Sequence, residues 1–174
     1  SFGSQSAVDE DSAVSRLETL LDESVRLRRV SDVPIGAFLS GGVDSSGVVA
    51  VMARQMSDPV NTFSISFGQK DFDESAYAEE VARLHRTQHH QRLVDPDNFD
   101  LVDRLIDIYD EPFGDSSALP TFRVCAVASE FVKVCLSGDG GDELFAGYRR
   151  YLWHQRESRV RDLLPDSIRI PLFS

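Results

Sequence analysis

A seven-residue stretch, Ser40-Gly41-Gly42-Val43-Asp44-Ser45-Ser46, joins two apolar segments of the chain. Residues 35–39 before it have the composition of a buried strand, and residues 47–52 after it continue as a helix. Adjacent glycines let the backbone approach an anion closely, and the free amides at a helix N-terminus favour negative charge. The carboxylate of Asp44 would repel phosphate unless a divalent cation lay between them. The stretch therefore predicts a site for metal-bound pyrophosphate, whereas the simpler alternative is a glycine turn with Asp44 or Ser45 as N-cap.

Composition places the chain among globular proteins and excludes several function classes. Its 174 residues suffice for about one domain, and an apolar content of 41% is ordinary for a packed core. The net charge of −11 disfavours binding to nucleic acid or an anionic membrane, and no apolar run has the length of a membrane span. The only cysteines, Cys125 and Cys135, are expected to be buried thiols in a reducing cytoplasm.

Helical and strand patterns alternate along the chain, which predicts a parallel α/β sheet. A first helix is expected with Ser12 as its cap and with Val14, Leu17, Leu21 and Val25 on its apolar face. The predicted strands are residues 35–39, 60–67, 88–94 and 132–136. The predicted helices between them are residues 43–56, 73–84, 95–108 and 118–131, followed by a short helix and a polar, arginine-rich stretch.

A second glycine-rich loop, residues 137–143, directly follows the fourth predicted strand. Parallel sheets bind ligands beyond the carboxyl ends of their strands, at the point where the strand order reverses. We therefore expect the first and fourth strands to be neighbours, so that both loops face one crevice. Asp142 is then the candidate second ligand for Mg²⁺, across the crevice from Asp44.

Together the two loops resemble the synthetase domain of glutamine-hydrolysing asparagine synthetases, within the ATP pyrophosphatase superfamily. The resemblance covers about residues 12–155 and is carried by two motifs, Leu39-Ser40-Gly41-Gly42-Val43-Asp44-Ser45-Ser46 and Leu136-Ser137-Gly138-Asp139-Gly140-Gly141-Asp142-Glu143-Leu144-Phe145-Ala146-Gly147-Tyr148. It implies a Rossmann-like, three-layer α/β domain of the adenine nucleotide alpha hydrolase type over residues 12–174, truncated at its C-terminus. Residues 1–11 are expected to be a linker or a cloning remnant.

The resemblance also implies residue roles. Residues 40–46 would bind the pyrophosphate part of ATP, with Asp44 and Asp142 binding Mg²⁺. Leu39 and Ile65 would contact adenosine, and Ser137 and Gly138 would lie near the α-phosphate. The residues implied in ATP binding are Leu39, Ser40, Gly41, Gly42, Val43, Asp44, Ser45, Ser46, Ile65, Ser137 and Gly138. The implied catalytic residues are Asp44, Asp139 and Asp142, with Asp139 facing the reacting carboxylate or ammonia.

The implied reaction is adenylylation of the aspartate side-chain carboxylate, followed by displacement of AMP by ammonia from glutamine. The implied partner is an N-terminal glutaminase domain of the parent chain. The resemblance also implies a cytoplasmic protein and a possible homodimer. Well-studied asparagine synthetases have glutamate where this chain has Asp139, so a different carboxylate acceptor, as in β-lactam synthetase relatives, stays open. An inactive nucleotide-binding fragment is the third alternative.

Other residues suggest chemistry less strongly. His89 and His90 are adjacent on a predicted strand, so they point to opposite faces and favour packing over a metal site with His85. Tyr148, Tyr151 and Trp153 are expected to pack within a helix. Glu111 and Asp115 are weaker candidates for the border of an acceptor pocket.

Overall fold

A computed structural model describes residues 9–68, 74–94, 100–110 and 114–163 of the chain. The chain divides into two compact units, Ser1–Gly138 and Asp139–Ser174. The first unit carries the sheet and its helices. The predicted starts of two helices, at Asp73 and at Asp95, lie outside the described residues, as does Glu111.

The order of elements confirms the predicted alternation. The strands are β1 (Ile35–Phe38), β2 (Asn61–Ser66), β3 (Gln88–Leu93) and β4 (Val134–Leu136). The helices are α1 (Glu10–Arg28), α2 (Val43–Gln55), α3 (Ser75–His85), α4 (Asp100–Tyr109), α5 (Ala118–Ser129), α6 (Gly141–Phe145) and α7 (Arg149–Leu163).

All the strand pairs in the four-stranded sheet are parallel, and the strand order is β3-β2-β1-β4. Gly36 of β1 pairs with Asn61 on one side and with Cys135 on the other. The prediction that the first and fourth strands are neighbours is therefore confirmed. The order reverses at β1, so the loops after β1 and β4 leave adjacent strand ends at the same edge of the sheet.

Two apolar clusters cover the two faces of the sheet. One joins Ala37 of β1 and Leu39, the residue after that strand, to side chains of α1, α2 and α3, with Val49 and Met52 of α2 fully buried. The other packs Phe63 of β2 against α5 and the segment that follows it. Because alternate strand residues point to opposite faces, this is the three-layer α/β arrangement that the family resemblance implies. None of the described helices combines the length and apolar character of a bilayer span.

Helix α1 corrects two expectations. Its N-cap is Asp9 and not Ser12. The Asp9 carboxylate accepts a hydrogen bond from the Ser12 amide at 3.4 Å, since an N-cap side chain bonds the amide three residues further along the chain. Val14 and Leu17 are 51% and 43% exposed, so only the C-terminal half of the predicted apolar face, around Val25, is buried. Periodicity identifies a helix face but not how much of that face a partner covers.

The polar, arginine-rich stretch forms helix α7, which contains Tyr151 and Trp153. One further expectation was wrong. Cys125 is exposed on α5 and only Cys135 is half-buried, and both thiols are free. Burial raises the pKa of Cys135 to about 11, so this thiol stays protonated at neutral pH.

His89 lies in a polar network beneath α3, between β2 and β3. Its Nδ1 is 2.9 Å from the Thr62 hydroxyl and its Nε2 is 3.1 Å from the Ser64 hydroxyl. His90 points to the other face, where its ring stacks on Phe131 at 3.8 Å. The prediction that the two histidines pack on opposite faces is confirmed. Burial lowers the pKa of His89, and the nearby carboxylate of Glu79 opposes that shift only in part.

We expect the free energy of unfolding to fall as the pH drops below about 6.5, the pKa of an unperturbed histidine. The folded-state pKa of His89 is lowered, so the unfolded chain binds more protons in this range and stability rises with pH. Urea unfolding between about pH 7 and about pH 5 measures this slope. His89→Gln should reduce it, whereas His85→Gln, outside the network, should not; equal slopes in the two variants would contradict the assignment.

Candidate active site

The stretch 40–46 forms the turn between β1 and α2. Helix α2 begins at Val43, with Gly42 as its N-cap and no side chain capping it. The amides of Val43, Asp44 and Ser45 have no acceptor within the helix, because the first turn of an α-helix cannot supply one. These donors lie at the positive end of the helix dipole, which suits an anion.

Two of the three serines build the loop itself. The Ser45 hydroxyl donates to the Gly42 carbonyl at 3.2 Å and accepts from the Ser40 amide at 3.2 Å. Since that hydroxyl has one proton, the 3.0 Å contact between the two serine hydroxyls is a donation from Ser40. The Ser40 hydroxyl in turn accepts from the Gly42 amide at 3.2 Å. This network fixes the backbone on which the free amides are presented.

Ser46 differs from the other two serines. Its hydroxyl is shielded from solvent and has no hydrogen-bond partner among the described residues. A buried hydroxyl without a partner is costly, so an acceptor supplied by a bound group would stabilise it. This orphaned donor in the first turn of α2 is the observation that fits the loop to a phosphate group.

Gly41 brings the loop against the start of α3. Its φ is +84°, in the left-handed region, and a Cβ at this position would lie 2.6 Å from Tyr77 Cβ and 2.7 Å from the Ala78 amide nitrogen. Only glycine meets both conditions without strain. Sequence reasoning did not find the contact with α3, because no local pattern connects Gly41 to a helix more than thirty residues away.

Gly138, in the loop after β4, lies against the first turn of α2. A Cβ on Gly138 would be 2.6 Å from the Ser45 amide nitrogen and 2.8 Å from the Asp44 carbonyl carbon. Both atoms belong to the backbone and cannot rotate away. The start of the second glycine-rich loop thus touches the first loop at the residues predicted to bind metal and phosphate.

Asp139 and Asp142 belong to the second unit. Within it, α6 begins after Gly140, whose φ is +91°, and Asp142 lies in the first turn. The Asp142 carboxylate packs against Gly147 and would overlap a Cβ there, while the Gly147 amide donates to the Asp142 carbonyl at 3.0 Å. The assignment of Asp142 to Mg²⁺ stays a prediction.

Glu143 is a polar residue of this unit whose partner the sequence did not reveal. Its carboxylate accepts from the Tyr148 hydroxyl at 2.6 Å, and the Arg150 guanidinium lies over the Tyr148 ring at 4.4 Å. The hydrogen bond from Tyr148 lowers the pKa of Glu143. Tyr148 was expected to pack within a helix. Its ring centroid lies 6.0 Å from that of Tyr151, whereas Trp153 is 69% exposed.

The two residues predicted to contact adenosine lie on opposite faces of the sheet. Leu39 is buried in the cluster with α2, and its amide donates to the Phe63 carbonyl at 2.9 Å. Ile65 packs with the cluster around Phe63. Their shared role at adenosine stays a prediction. Among the described residues, no three His, Cys, Asp or Glu side chains form a metal cage.

These features define a parallel α/β protein whose glycine loops meet where the strand order reverses, an arrangement typical of nucleotide-binding proteins. Residues 16–173 match the family described as asparagine synthase, and the chain belongs to that family.

Relatives support this membership. The chain is 46% identical, over 93% of its length, to a putative glutamine-hydrolysing asparagine synthetase 2 of Methanocaldococcus jannaschii, covering 32% of that protein. It is 36% identical, over 82% of its length, to glutamine-hydrolysing asparagine synthetase 1 of Bacillus subtilis, covering 23%. It is also 35% identical, over 92% of its length, to a putative glutamine-hydrolysing asparagine synthetase of Mycobacterium bovis, covering 25%. The chain thus spans about a quarter to a third of the length of these curated relatives.

Proposed function

We propose that this chain is the ATP-binding synthetase part of an enzyme that forms an amide from aspartate and ammonia. The observation that carries the proposal is the contact of Gly138 with the Asp44–Ser45 backbone, because it joins the two family motifs at one point. Family membership and the orphaned Ser46 hydroxyl support the same assignment.

In this proposal the first turn of α2 holds the pyrophosphate part of ATP. The amides of Val43, Asp44 and Ser45 donate to phosphate oxygens, and the Ser46 hydroxyl gains the acceptor that it lacks. Asp44 and Asp142 hold Mg²⁺, which neutralises phosphate charge when bound. Leu39 and Ile65 border adenosine, and Ser137 and Gly138 lie near the α-phosphate.

The side-chain carboxylate of aspartate attacks the α-phosphorus of ATP, so that the bond to the bridging oxygen breaks and pyrophosphate leaves. Ammonia then attacks the resulting acyl carbon, AMP leaves, and the amide nitrogen loses a proton. Asp139 borders the acceptor and ammonia. The protein contributes positioning and charge stabilisation rather than covalent chemistry. Ammonia comes from a glutaminase domain of the parent protein.

Substitution Asp44→Asn tests the metal role. We expect the Mg²⁺-dependent affinity for ATP to fall by about 10- to 100-fold, the range for losing one interaction with a charged group. Calorimetric titration of the chain with ATP, with and without Mg²⁺, measures the change. Asp58→Asn, an equal change of charge in the segment beyond the C-terminal end of α2, is the matched control. Equal affinities in the two variants would reject Asp44 as a metal ligand.

A separate assay decides the acceptor. We expect the full-length protein, supplied with ammonia, to release pyrophosphate from ATP in the presence of aspartate. A panel of other carboxylates, run in parallel, tests the second candidate function, which is adenylylation of an acceptor other than aspartate. The side chain of Asp139 is shorter than the glutamate of well-studied asparagine synthetases, and this difference favours the alternative. If pyrophosphate is released with another carboxylate and not with aspartate, asparagine is not the product.

A further inference from the structure

A closed turn surrounds Asp142 within the second unit. Helix α6, which carries this residue, has only five residues, whereas an isolated helix needs about a dozen to be stable in water. It ends at Ala146, whose φ of +57° reverses the chain. The Gly147 amide then donates back to the Asp142 carbonyl at 3.0 Å. The Tyr148 hydroxyl donates back to the Glu143 carboxylate at 2.6 Å. The residues that follow α6 therefore hold it in place.

Gly147 leaves the space that the Asp142 carboxylate occupies. A Cβ on Gly147 would overlap a carboxylate oxygen and would lie 2.8 Å from the carboxylate carbon. The φ of Gly147 is outside the left-handed region, so alanine suits this backbone and the carboxylate is the part that must move. Among the described residues, the Asp142 carboxylate accepts no hydrogen bond and joins no ion pair. Packing against Gly147 therefore sets its orientation.

Tyr148 ties α6 to the start of α7. Its side chain is half-buried, and the Arg150 guanidinium lies 4.4 Å from the centre of its ring. Its carbonyl accepts from the Tyr151 amide at 3.0 Å, in the first turn of α7. The hydroxyl then reaches Glu143, the neighbour of Asp142, in a short hydrogen bond to a charged acceptor. This bond restricts the movement of α6 relative to α7.

We propose that Gly147 and Tyr148 are positioning residues for the Asp142 carboxylate, the first by the space that it leaves and the second through its hydrogen bond to Glu143. The inference rests on the proposed function, in which Asp142 binds Mg²⁺. A ligand group that is already held in one orientation loses less conformational freedom on binding, so affinity rises. Glu143 contributes here as a hydrogen-bond acceptor and not as a charge on the metal.

Calorimetric titration of the full-length protein with ATP, with and without Mg²⁺, tests the proposal. We expect Tyr148→Phe to weaken the Mg²⁺-dependent binding by about 3- to 10-fold, the effect of one hydrogen bond, without changing the binding of ATP alone. Gly147→Ala, which displaces the carboxylate directly, should weaken it at least as much. Glu143→Ala should match Tyr148→Phe, whereas Glu143→Gln, which keeps an acceptor for the hydroxyl, should lose less. Tyr151→Phe is the matched control, because the Tyr151 hydroxyl makes no hydrogen bond among the described residues.

Double variants separate positioning of Asp142 from a general loss of structure. Once Asp142→Asn is present, Tyr148→Phe and Gly147→Ala should weaken Mg²⁺-dependent binding no further. Effects that add to that of Asp142→Asn, or wild-type affinity in Tyr148→Phe or Gly147→Ala, would overturn the inference and leave the proposed function intact. Equal losses in Glu143→Gln and Glu143→Ala would also overturn it, since Glu143 would then act through its charge. Wild-type affinity in Asp142→Asn itself would instead reject the proposed metal ligand, and the inference with it.

Discussion

We expect Gly41→Ala to lower the free energy of unfolding by about 2–4 kcal/mol, the combined effect of left-handed backbone strain and overpacking. The φ of +84° disfavours any side chain, and the added Cβ would lie 2.6 Å from Tyr77 Cβ and 2.7 Å from the Ala78 nitrogen. The loop or α3 must therefore move. ATP binding should be lost, because the amides that would hold phosphate follow directly in the chain. Urea unfolding and calorimetric titration measure the two effects.

Gly68→Ala and Gly47→Ala separate the contribution of backbone strain from the contribution of overpacking. Gly68 has a φ of +69°, and among the described residues an added Cβ would meet one methyl group of Leu93 at 3.4 Å, an ordinary contact, so its substitution reports backbone strain alone. Gly47 lies within α2, where no described atom outside the helix backbone comes within 4 Å of an added Cβ. Alanine there should raise stability by about 0.5–1 kcal/mol. If Gly41→Ala lowers the free energy of unfolding no more than Gly68→Ala does, the close contact of Gly41 with α3 is contradicted.

The second large effect is expected for Gly138→Ala. The backbone of Asp44 and Ser45 leaves no space for a Cβ, so the loops after β1 and β4 must separate. We expect a loss of about 1–3 kcal/mol in stability and a fall of roughly 10- to 100-fold in ATP affinity. The same unfolding and titration experiments apply. Wild-type ATP affinity in Gly138→Ala, with Gly47→Ala as the control, would show that nucleotide binding does not need the two loops in contact.

Much of the fold follows from local sequence. The alternation of buried strands and helices predicts a parallel α/β sheet, and a glycine loop between β1 and α2 marks a ligand edge. The neighbouring position of β1 and β4 could also be predicted, because both strands end in glycine-rich loops and such loops collect at the switch point. These inferences rest on short-range patterns that the chain carries whatever its surroundings.

Other features could not be predicted because they depend on distant contacts. The apolar spacing of α1 indicates a buried face, yet Val14 and Leu17 are exposed because no periodicity states where a partner ends. The pairing of Glu143 with Tyr148 depends on the turn between α6 and α7, which brings two ordinary polar residues together.

The candidate site likewise has features that local sequence predicts and features that depend on distant contacts. By itself the sequence determined which residues form the two loops and which chemistry their glycines, hydroxyls and carboxylates suit, since these are properties of residue type and order. Only the tertiary structure decided that Ser40 and Ser45 bond each other while Ser46 is left without a partner among the residues described. It also decided that Gly41 meets α3 and Gly138 meets the first turn of α2. The physical reason is that close backbone approach is set by packing between segments far apart in the chain, which no local pattern records.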